Sequence, residues 1–446
     1  MRDTSSTILP SDSLPASWEL TQPTSSGRPD NRVSAYFSEA LRVANDLSFP
    51  QKKDENWRWV DFSGLNLDAL HLLAGSDRSS APENAGNTSK PGFQARVILQ
   101  AGEGGVDLSS LLEKGIVFAP LGQVLAEKPA LLEGRLGTIV PPSESKFAAL
   151  ASGLGRDGLV LYVPRDVQLE GVLSAQIMGG FAGMAHFTHA LIWLEEGASC
   201  SLALRFEQAE THKSDAMHTG VVEIHLDEGA VLNLFESQDF GGSVWNITHE
   251  RARLAKDARL TWFYAALGSR LSKNFLNADL DGEGAAAELK GAYISGQGRL
   301  LDLDTQQNHW APRTTSNLLY KGAANGNGKA VWEGMIYVAP EAQLTDGYQA
   351  NRNLVLGEQA VIKTIPGLEI CADNVRCSHG ATVGSLDPDE LFDLRTRGIP
   401  LLEAEQILVE GFFTGILESL PSEDLKQELL ARILRELAKN QSNFVY

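Results

Sequence analysis

A short turn motif that recurs along the middle of the chain constrains the fold more than any other feature. It is a polar turn that usually ends in a small residue and leads into alternating apolar residues. Its seven occurrences are at 165–167, 196–198, 228–230, 256–258, 283–285, 340–342 and 358–360. The third positions are separated by 31, 32, 28, 27, 57 and 18 residues. Because 57 is close to two steps of 28, one turn in that interval has diverged.

Short strands joined by tight corners at a steady interval predict a β-solenoid, in which each coil stacks on the previous one. Small residues suit the corners, where the backbone bends sharply. A β-sandwich also contains many short strands, but the repeated turn favours the solenoid. We therefore predict a mainly β protein whose parallel β-helix core spans 158–384.

The sequence before this core predicts a tail and an N-terminal α/β region. Residues 1–31 are rich in Ser, Thr and Pro and predict a disordered tail, and 32–157 mixes helical and strand patterns. Within that region, 75–92 is full of turn formers and predicts a mobile loop with no evident role. Trp57 and Trp59 lie among charged residues, which fits either a turn held by aromatic packing or a recognition surface.

Residues 385–446 predict a C-terminal helical domain. Asp387 can cap a first helix that Gly398 ends, Pro400 opens a second and Ser422 caps a third. The predicted apolar face of the second helix comprises Leu401, Ala404, Ile407, Leu408 and Phe412. That of the third comprises Leu425, Leu429, Ile433 and Leu437. Apolar stripes of this kind usually pack in the core of the protein, although part of one could dock a partner.

Charge and cysteine content exclude several classes of function. The formal net charge of −19 argues against binding nucleic acid or an anionic membrane surface, since both need a basic footprint. No apolar run approaches the roughly 18 residues of a membrane span. Three cysteines are too few for a disulfide framework, which fits reduced thiols and a cytoplasmic protein.

The motifs of common enzymes are missing from the sequence. The nearest string to a phosphate-binding loop, 326–330, lacks its leading glycine and its Ser or Thr, and neither G-x-S-x-G nor H-E-x-x-H occurs. The histidines at 186, 189, 212, 218 and 225 are scattered, which favours a packing role for each. We therefore predict a protein without catalytic activity of its own.

One local group of residues could bind a metal where the solenoid ends. Cys377 and His379 are two apart, so a strand projects both to one face, and thiolate and imidazole suit iron, zinc or copper(I). Arg376 could lower the pKa of the thiol. Two ligands do not complete a four-coordinate site, so further ligands would come from a second chain. The alternative is a packed cysteine beside a hydrogen-bonded histidine.

The sequence around this group resembles the SufB/SufD family of iron–sulfur cluster assembly scaffold proteins. The resemblance runs from about 33 to 425 and is densest in 281–415. The string Cys-Ser-His-Gly-Ala-Thr at 377–382 is similar to the SufD branch rather than to SufB. The other matching segments are 50–57, His309, 316–317, 320–322, Gly334, 345–349, 366–370, 391–392, 395–399, Ala404 and 411–412.

The resemblance implies a fold and a set of partners. The fold would be a right-handed parallel β-helix between an N-terminal domain and a C-terminal helical domain. The complex would contain a SufB-like paralogue, this chain and two copies of the ABC-type ATPase SufC, with the last coils of the two β-helices paired edge to edge. Sulfur would arrive from a cysteine desulfurase system. A flavin on the complex and a homodimer of the isolated chain stay open, as does the type of cluster.

The resemblance also assigns candidate site residues. His379 and Cys377 would help to bind a transient iron–sulfur cluster opposite a SufB cysteine. Arg395, Arg397 and Gly398 would lie near SufC, with a purely structural role as the alternative. Cys371 departs from the family, since many members carry an aromatic residue there, and we expect it to be a small core residue.

Two other classes of function compete with the scaffold hypothesis. A β-helical carbohydrate-active enzyme would need clustered carboxylates in a groove, and the sequence offers no repeated acidic cluster. A purely structural protein would pack Cys377 and His379 without using them. Wild-type cluster assembly in a His379→Ala variant would favour that interpretation.

Overall fold

The computed structural model describes residues 14–15, 18, 32–73, 96–101, 108–208, 211–420 and 422–438, and within them two long sheets form a solenoid. The strands of the first sheet are β1 (His71–Leu72), β3 (Val117–Pro120), β4 (Leu159–Val163), β6 (Met184–Leu194), β8 (Ala216–Leu226), β10 (Val244–Leu254), β12 (Leu271–Leu280), β14 (Leu300–His309), β16 (Lys329–Val338) and β18 (Val361–Ile370). Those of the second are β2 (Arg96–Ala101), β5 (Gln168–Gly179), β7 (Ser199–Gln208), β9 (Val231–Asp239), β11 (Arg259–Ala266), β13 (Ala286–Ser295), β15 (Thr315–Ala324), β17 (Asp346–Val355) and β19 (Arg376–Gly384).

Each coil contributes one strand to each sheet, and about eight coils stack. From β4 and β5 onward every pair between successive coils is parallel, so the predicted parallel β-helix is confirmed. The N-terminal region adds β2 and β3 to the first coil as antiparallel strands. Its strands therefore extend the two sheets of the solenoid.

The recurring turn forms one ladder along an edge of the solenoid. Its middle residue has a positive φ at Gly197 (68°) and Gly229 (67°), and the N–H of Gly197 donates to the carbonyl of Glu228 in the next turn (2.9 Å). Arg313, with φ 58°, occupies the diverged turn that the long interval predicted. In the turn after it, the positive φ falls at Leu344 rather than within 340–342. The turn at 358–360 joins β17 to β18 and so lies on the opposite edge.

The interior of the solenoid contains a large apolar cluster and one connected series of buried polar side chains. A Cβ on Gly322 would lie 2.1 Å from the ring of Tyr293, so glycine makes room for an aromatic side chain of the preceding coil. Hydrogen bonds of 2.6 to 3.0 Å connect these polar side chains across four successive coils. They run through Thr188, His218, Asn246, Ser272, Asn274, Thr248 and Glu250. Buried polar groups of this kind are stable only when they are paired with one another.

The N-terminal helices are α1 (Arg32–Asp46), α2 (Leu108–Glu113), α3 (Leu121–Glu127) and α4 (Lys146–Leu154). Together with the strands of this region they give the mixed α/β character that the sequence predicts. Trp57 is buried against Phe62, Phe147 and Phe275, which confirms the packing interpretation for this tryptophan. Trp18 is buried too, and its Nε1 donates to the carbonyl of Leu70 (2.9 Å). Apart from 14–15 and 18, the predicted tail lies outside the described residues, as does the predicted loop 75–92.

The C-terminal helices are α5 (Pro388–Thr396), α6 (Leu401–Leu417) and α7 (Glu423–Ala438). Asp387 and Ser422 accept backbone N–H groups at the starts of α5 and α7, and Gly398 (φ 87°) follows the end of α5, as predicted. The stripe of α7 packs with the outer face of the second sheet.

The predicted apolar face of α6 is only partly correct. Ala404 is buried and Leu408 and Phe412 pack at the margin, but Ile407 is 40% exposed. The residues that pack most deeply are Val409, Phe413, Ile416 and Leu417. The face is rotated because α6 contacts both α7 and the sheet, so two directions of packing compete along one helix. Within the described part of the chain, no helix is long and apolar enough to cross a membrane.

Candidate functional site

The last coil leaves one end of the solenoid open. β18 and β19 are the terminal strands of their sheets, and each pairs with a single neighbouring strand, β16 or β17. Each therefore presents a row of unpaired backbone groups. Large apolar side chains accompany these edges, with Val361 41%, Ile370 40% and Val383 46% exposed.

Cys377 and His379 lie together at this open end. Both belong to β19, where they stand opposite Gly347 and Gln349 of β17 and point into the solenoid interior. The predicted shared face is thus confirmed. Cys377 is partly buried under the end of the core, whereas His379 is exposed because no further coil covers it. Cys377 therefore lies closer to the interior of the solenoid, and His379 lies closer to solvent.

The surroundings of Cys377 favour the protonated thiol. Burial raises the pKa of Cys377, and the Asp346 carboxylate raises it further, while a hydrogen bond with the backbone of Gly347 acts in the opposite direction. The prediction that Arg376 lowers this pKa is wrong. Alternation along the strand turns the guanidinium outward, where it is 86% exposed and lies 3.7 Å from Asp346.

Polar side chains two coils before Cys377 lie beneath it. The ring nitrogens of His309 are bonded to the hydroxyls of Thr314 (2.7 Å) and Ser316 (2.8 Å). Burial lowers the pKa of His309 to about 4, so the ring is neutral near pH 7. A Cβ added to Gly347 would lie 3.3 Å from Cys377 Sγ and 3.5 Å from His309 Nε2. A Cβ here would press on the thiol and make ordinary contact with the imidazole, so glycine mainly gives room to Cys377.

Gln349 links the two sheets behind His379. Its Nε2 donates to the carbonyl of Gly367 in β18 (2.8 Å) and to that of Gly334 in β16 (3.4 Å). These contacts fix the backbone beneath His379 without engaging its ring. Five of the positions that carry the family resemblance thus lie in the two coils that precede the last one, namely His309, Ser316, Gly334, Gly347 and Gln349.

The pair of side chains cannot hold a metal by itself. Over the residues that the structure describes, no group of three or more His, Cys, Asp or Glu side chains is arranged to bind a metal ion. A tetrahedral iron site takes four ligands, so Cys377 and His379 could supply at most half of them. The remaining ligands would have to approach through the open end.

The other two cysteines differ sharply from Cys377. Cys371 follows β18 and is exposed, so the expectation that it is a small core residue is wrong. It follows the terminal strand of the first sheet, and no further coil among the described residues covers it. Cys200 is buried in the solenoid interior, and burial raises the pKa of its thiol to about 12. A packing role is sufficient to explain Cys200.

Arg395, Arg397 and Gly398 lie together on the surface at the end of α5. Arg397 forms an ion pair with Asp393 (2.9 Å), one turn earlier on the same helix. Phe392 of this helix is 68% exposed. Two arginines and an exposed aromatic ring therefore lie on one short segment. This segment belongs to the helical region and is separate from the strand that carries Cys377 and His379.

The remaining polar groups of the core carry packing roles. His186, His189, His218 and His225 are buried, and His189 Nε2 bonds to Glu223 (2.8 Å). Glu223 also accepts N–H groups from 137, 139 and 140, which fastens the N-terminal region to the first sheet. Burial raises the pKa of Glu250 to about 7, but this carboxyl lies inside the solenoid beside Glu236 and not in a groove.

Sequence reasoning missed the exposed apolar residues of the open end. Val361, Ile370 and Val383 have the alternation expected of ordinary solenoid strands, so nothing local distinguishes them from buried neighbours. Ile370 and Val383 are exposed because, within the described part of the chain, no further coil stacks on β18 and β19. The only sequence signal is that the turn ladder stops before the helical region begins.

Comparison with known proteins gives a consistent result over most of the chain. Residues 177–412 match the family described as SUF system FeS cluster assembly, SufBD core domain, and 30–175 match the SufBD protein N-terminal region. An iron-sulfur cluster assembly SufBD family protein of Staphylococcus haemolyticus is 30% identical over 313 residues, covering 70% of this chain and 67% of that protein. Proteins with the same description from Staphylococcus saprophyticus and Staphylococcus aureus are 29% identical over the same shares.

Proposed function

Because the chain belongs to the SufBD family of iron–sulfur cluster assembly proteins, we propose that it is a SufD-type scaffold subunit. It would work in the cytoplasm without catalytic activity of its own. The observation that carries this proposal is the open end of the solenoid, where Cys377 and His379 stand between two unpaired strand edges.

The open end suits pairing with the last coil of a SufB-like paralogue. Backbone groups of β18 and β19 would find hydrogen-bond partners, and the exposed Ile370 and Val383 would be covered. A second β-helix that ends in the same way offers matching edges. A homodimer of this chain could use the same edges when the paralogue is missing.

Cys377 and His379 would then face the partner across the seam. The nascent cluster is the cargo of this site, and its other ligands would come from SufB. A thiol whose pKa is raised by burial keeps its proton until a cation approaches, so Cys377 would bind iron with release of that proton. Exposed His379 needs no such loss when its ring is neutral. Sulfur would come from a cysteine desulfurase system.

The C-terminal helices would dock the ABC-type ATPase SufC, with one copy on this chain and one on SufB. Phe392, Leu402 and Ile407 are 68%, 44% and 40% exposed, which gives α5 and α6 an apolar surface. Arg395 and Arg397 add positive charge beside it, and Gly398 (φ 87°) sets the turn between the helices. ATP-driven closure of two SufC copies would pull on both helical regions and open the seam.

The carbohydrate-active alternative receives no support from the geometry. The paired carboxyl groups Glu236 and Glu250 are enclosed by the solenoid, and Asp302 and Asp304 are buried against Lys273. Glycosidases need two carboxyl groups on either side of an accessible substrate. The exposed position of His379 likewise speaks against a purely packed role for it.

The experiment that tests the scaffold proposal is anaerobic co-purification. This chain would be tagged and co-expressed with the SufB-like and SufC-like proteins of its own organism, and the eluate assayed for both partners, iron and sulfide. We expect both partners to co-elute and His379→Ala to reduce iron and sulfide at least several-fold. The matched control is His71→Ala, since His71 is also exposed but pairs beside β6, near the other end.

Two outcomes would contradict the proposal. Recovery of neither partner with the wild-type chain would contradict the proposal that it is a SufD-type subunit. Wild-type amounts of iron and sulfide in the His379→Ala eluate, with both partners present, would contradict a role of this chain at the cluster site. The chain would then be a structural subunit only.

A further inference from the structure

The outer face of the first sheet carries a groove that the proposed function does not use. It has a volume of about 800 Å³. Its floor consists of outward-facing residues of neighbouring strands, including Trp245, Leu271, Leu300 and Val331. One wall is the segment 52–64, and the other is formed by the loops that lead into β12, β14 and β16.

The groove is rich in cations on a chain that is otherwise acidic. Among the described residues that line it, Asp61 is the only carboxylate, whereas the whole chain has a net charge of −19. The basic residues of the lining are Lys52, Arg58, Arg270, Arg299, Lys329 and Lys363. A local excess of this kind requires an explanation, because it opposes the charge of the surrounding surface.

Four of these cations already have acidic partners. Arg58, Arg270 and Arg299 lie 2.9, 3.3 and 2.8 Å from Glu333, Asp215 and Glu436, and Lys52 lies 3.6 Å from Asp61. Lys329 and Lys363 have no ion pair with any described residue, and they occupy adjacent strands at the mouth of the groove. They are therefore the ammonium groups available to an incoming anion.

Two indole rings border the apolar part of the groove. Trp245 is 3% exposed, and its Nε1 has no hydrogen-bond partner among the described residues. Trp59 is held by a hydrogen bond from Nε1 to Glu333 (2.6 Å), and Lys363 Nζ lies 3.4 Å from its ring centroid. Because Trp245 Nε1 is enclosed, the groove offers an apolar floor and the ring of Trp59 rather than a hydrogen-bond donor. These lie beside two ammonium groups that have no carboxylate partner among the described residues.

We propose that this groove binds a nucleoside diphosphate or triphosphate. The phosphates would lie against Lys329 and Lys363, since ammonium groups are common phosphate ligands. The base would lie on the apolar floor beside Trp59 and Trp245. The volume falls in the range of roughly 300–1,000 Å³ typical of small-molecule sites, which favours a nucleotide over an acidic protein segment.

The test is direct binding of ADP to the purified full-length chain, measured by isothermal titration calorimetry. We expect saturable binding of one ADP per chain and an affinity about tenfold weaker in Lys329→Ala/Lys363→Ala, because two charge-assisted contacts are lost. The matched control is Lys114→Ala/Lys128→Ala, which removes two exposed lysines outside the groove and should leave binding unchanged. Circular dichroism would verify that both variants fold.

Three further ligands distinguish the alternatives. Pyrophosphate and adenosine should each bind more weakly than ADP, since each makes half of the contacts. Equal binding of pyrophosphate would overturn the assignment of the base to the floor. No binding of ADP, or binding of a poly-glutamate peptide in its place, would overturn the nucleotide site. The outcome does not depend on the scaffold role, because no partner protein or cluster takes part.

Discussion

The two ends of the solenoid are built in opposite ways. At the first coil, β2 and β3 pair with β5 and β4, and Leu111 and Ile116 close the interior. At the last coil, β18 and β19 have no strand beyond them among the described residues, and His379 is open to solvent. The same chain thus covers one end and leaves the other uncovered.

This difference shows which end is available for a partner. An unpaired strand edge invites association, and natural proteins usually cover such edges. Here the N-terminal region covers the first coil, while the C-terminal helices pack along the outer face of the second sheet and not across the last coil. Four predictions test the contrast.

The largest effect is expected from a charge placed on the open end. Val383→Asp should reduce co-purification of the SufB-like partner to below about a tenth, because a buried unpaired carboxylate would oppose the interface. Leu112→Asp is the matched control, since Leu112 is 72% exposed and lies beside the covered end. Equal loss in both variants, or in neither, would contradict the assignment of the interface to the open end.

A pH effect should distinguish the enclosed coils from the open one. The pKa of Glu250, inside the solenoid beside Glu236, is raised by burial to about 7 from a model-compound value of 4.5. The folded state therefore binds more protons than the unfolded state between these values, and this group's contribution to stability falls as pH rises from 4.5 to 7.

Glu250→Gln should remove that pH dependence. Relative to wild type, the variant should gain on the order of 3 kcal/mol of unfolding free energy between pH 4.5 and pH 8. Urea unfolding at several pH values measures the difference, and exposed Glu133→Gln serves as the control. Buried His218 and His249 impose the opposite slope on both proteins, so only the difference is diagnostic. A pH-independent difference would refute the assignment.

Glycine substitutions should report packing in the two regions. A Cβ on Gly322 would meet the ring of Tyr293 at 2.1 Å, so Gly322→Ala should cost roughly 1–3 kcal/mol. At the open end nothing lies within 4 Å of a Cβ on Gly384, and Gly384→Ala should change stability by less than about 0.5 kcal/mol. Chemical denaturation measures both, and similar values for the two variants would contradict the contrast.

The smallest effect concerns the three thiols. We expect exposed Cys371 to be alkylated by iodoacetamide several-fold faster than Cys377, whose pKa is raised by burial, and Cys200 to react only on unfolding. Mass spectrometry of timed samples gives the three rates. Faster reaction of Cys377 than of Cys371 would mean that its thiol is more ionised than the structure indicates.

The regular part of the molecule was predictable from the sequence because each coil repeats the same short pattern of residues. Each corner needs a residue that tolerates positive φ, and the resulting interval of 27 to 32 residues identified the solenoid and even its diverged turn at Arg313. Caps at Asp387 and Ser422 were predictable for the same reason, since capping depends on a few adjacent residues. The strand that unites Cys377 and His379 also follows from spacing alone.

The sequence by itself therefore determined the coil, the turns, the helix ends and the shared face of the two candidate ligands. Only the tertiary structure decided which side chains stay exposed: Cys371 outside the core, His379 at the mouth and Ile407 on the helix surface. It likewise turned Arg376 away from Cys377 and brought Lys329, Lys363 and Trp59 to one groove. The physical reason is that burial depends on what stacks next to a residue, and that neighbour is distant in the chain.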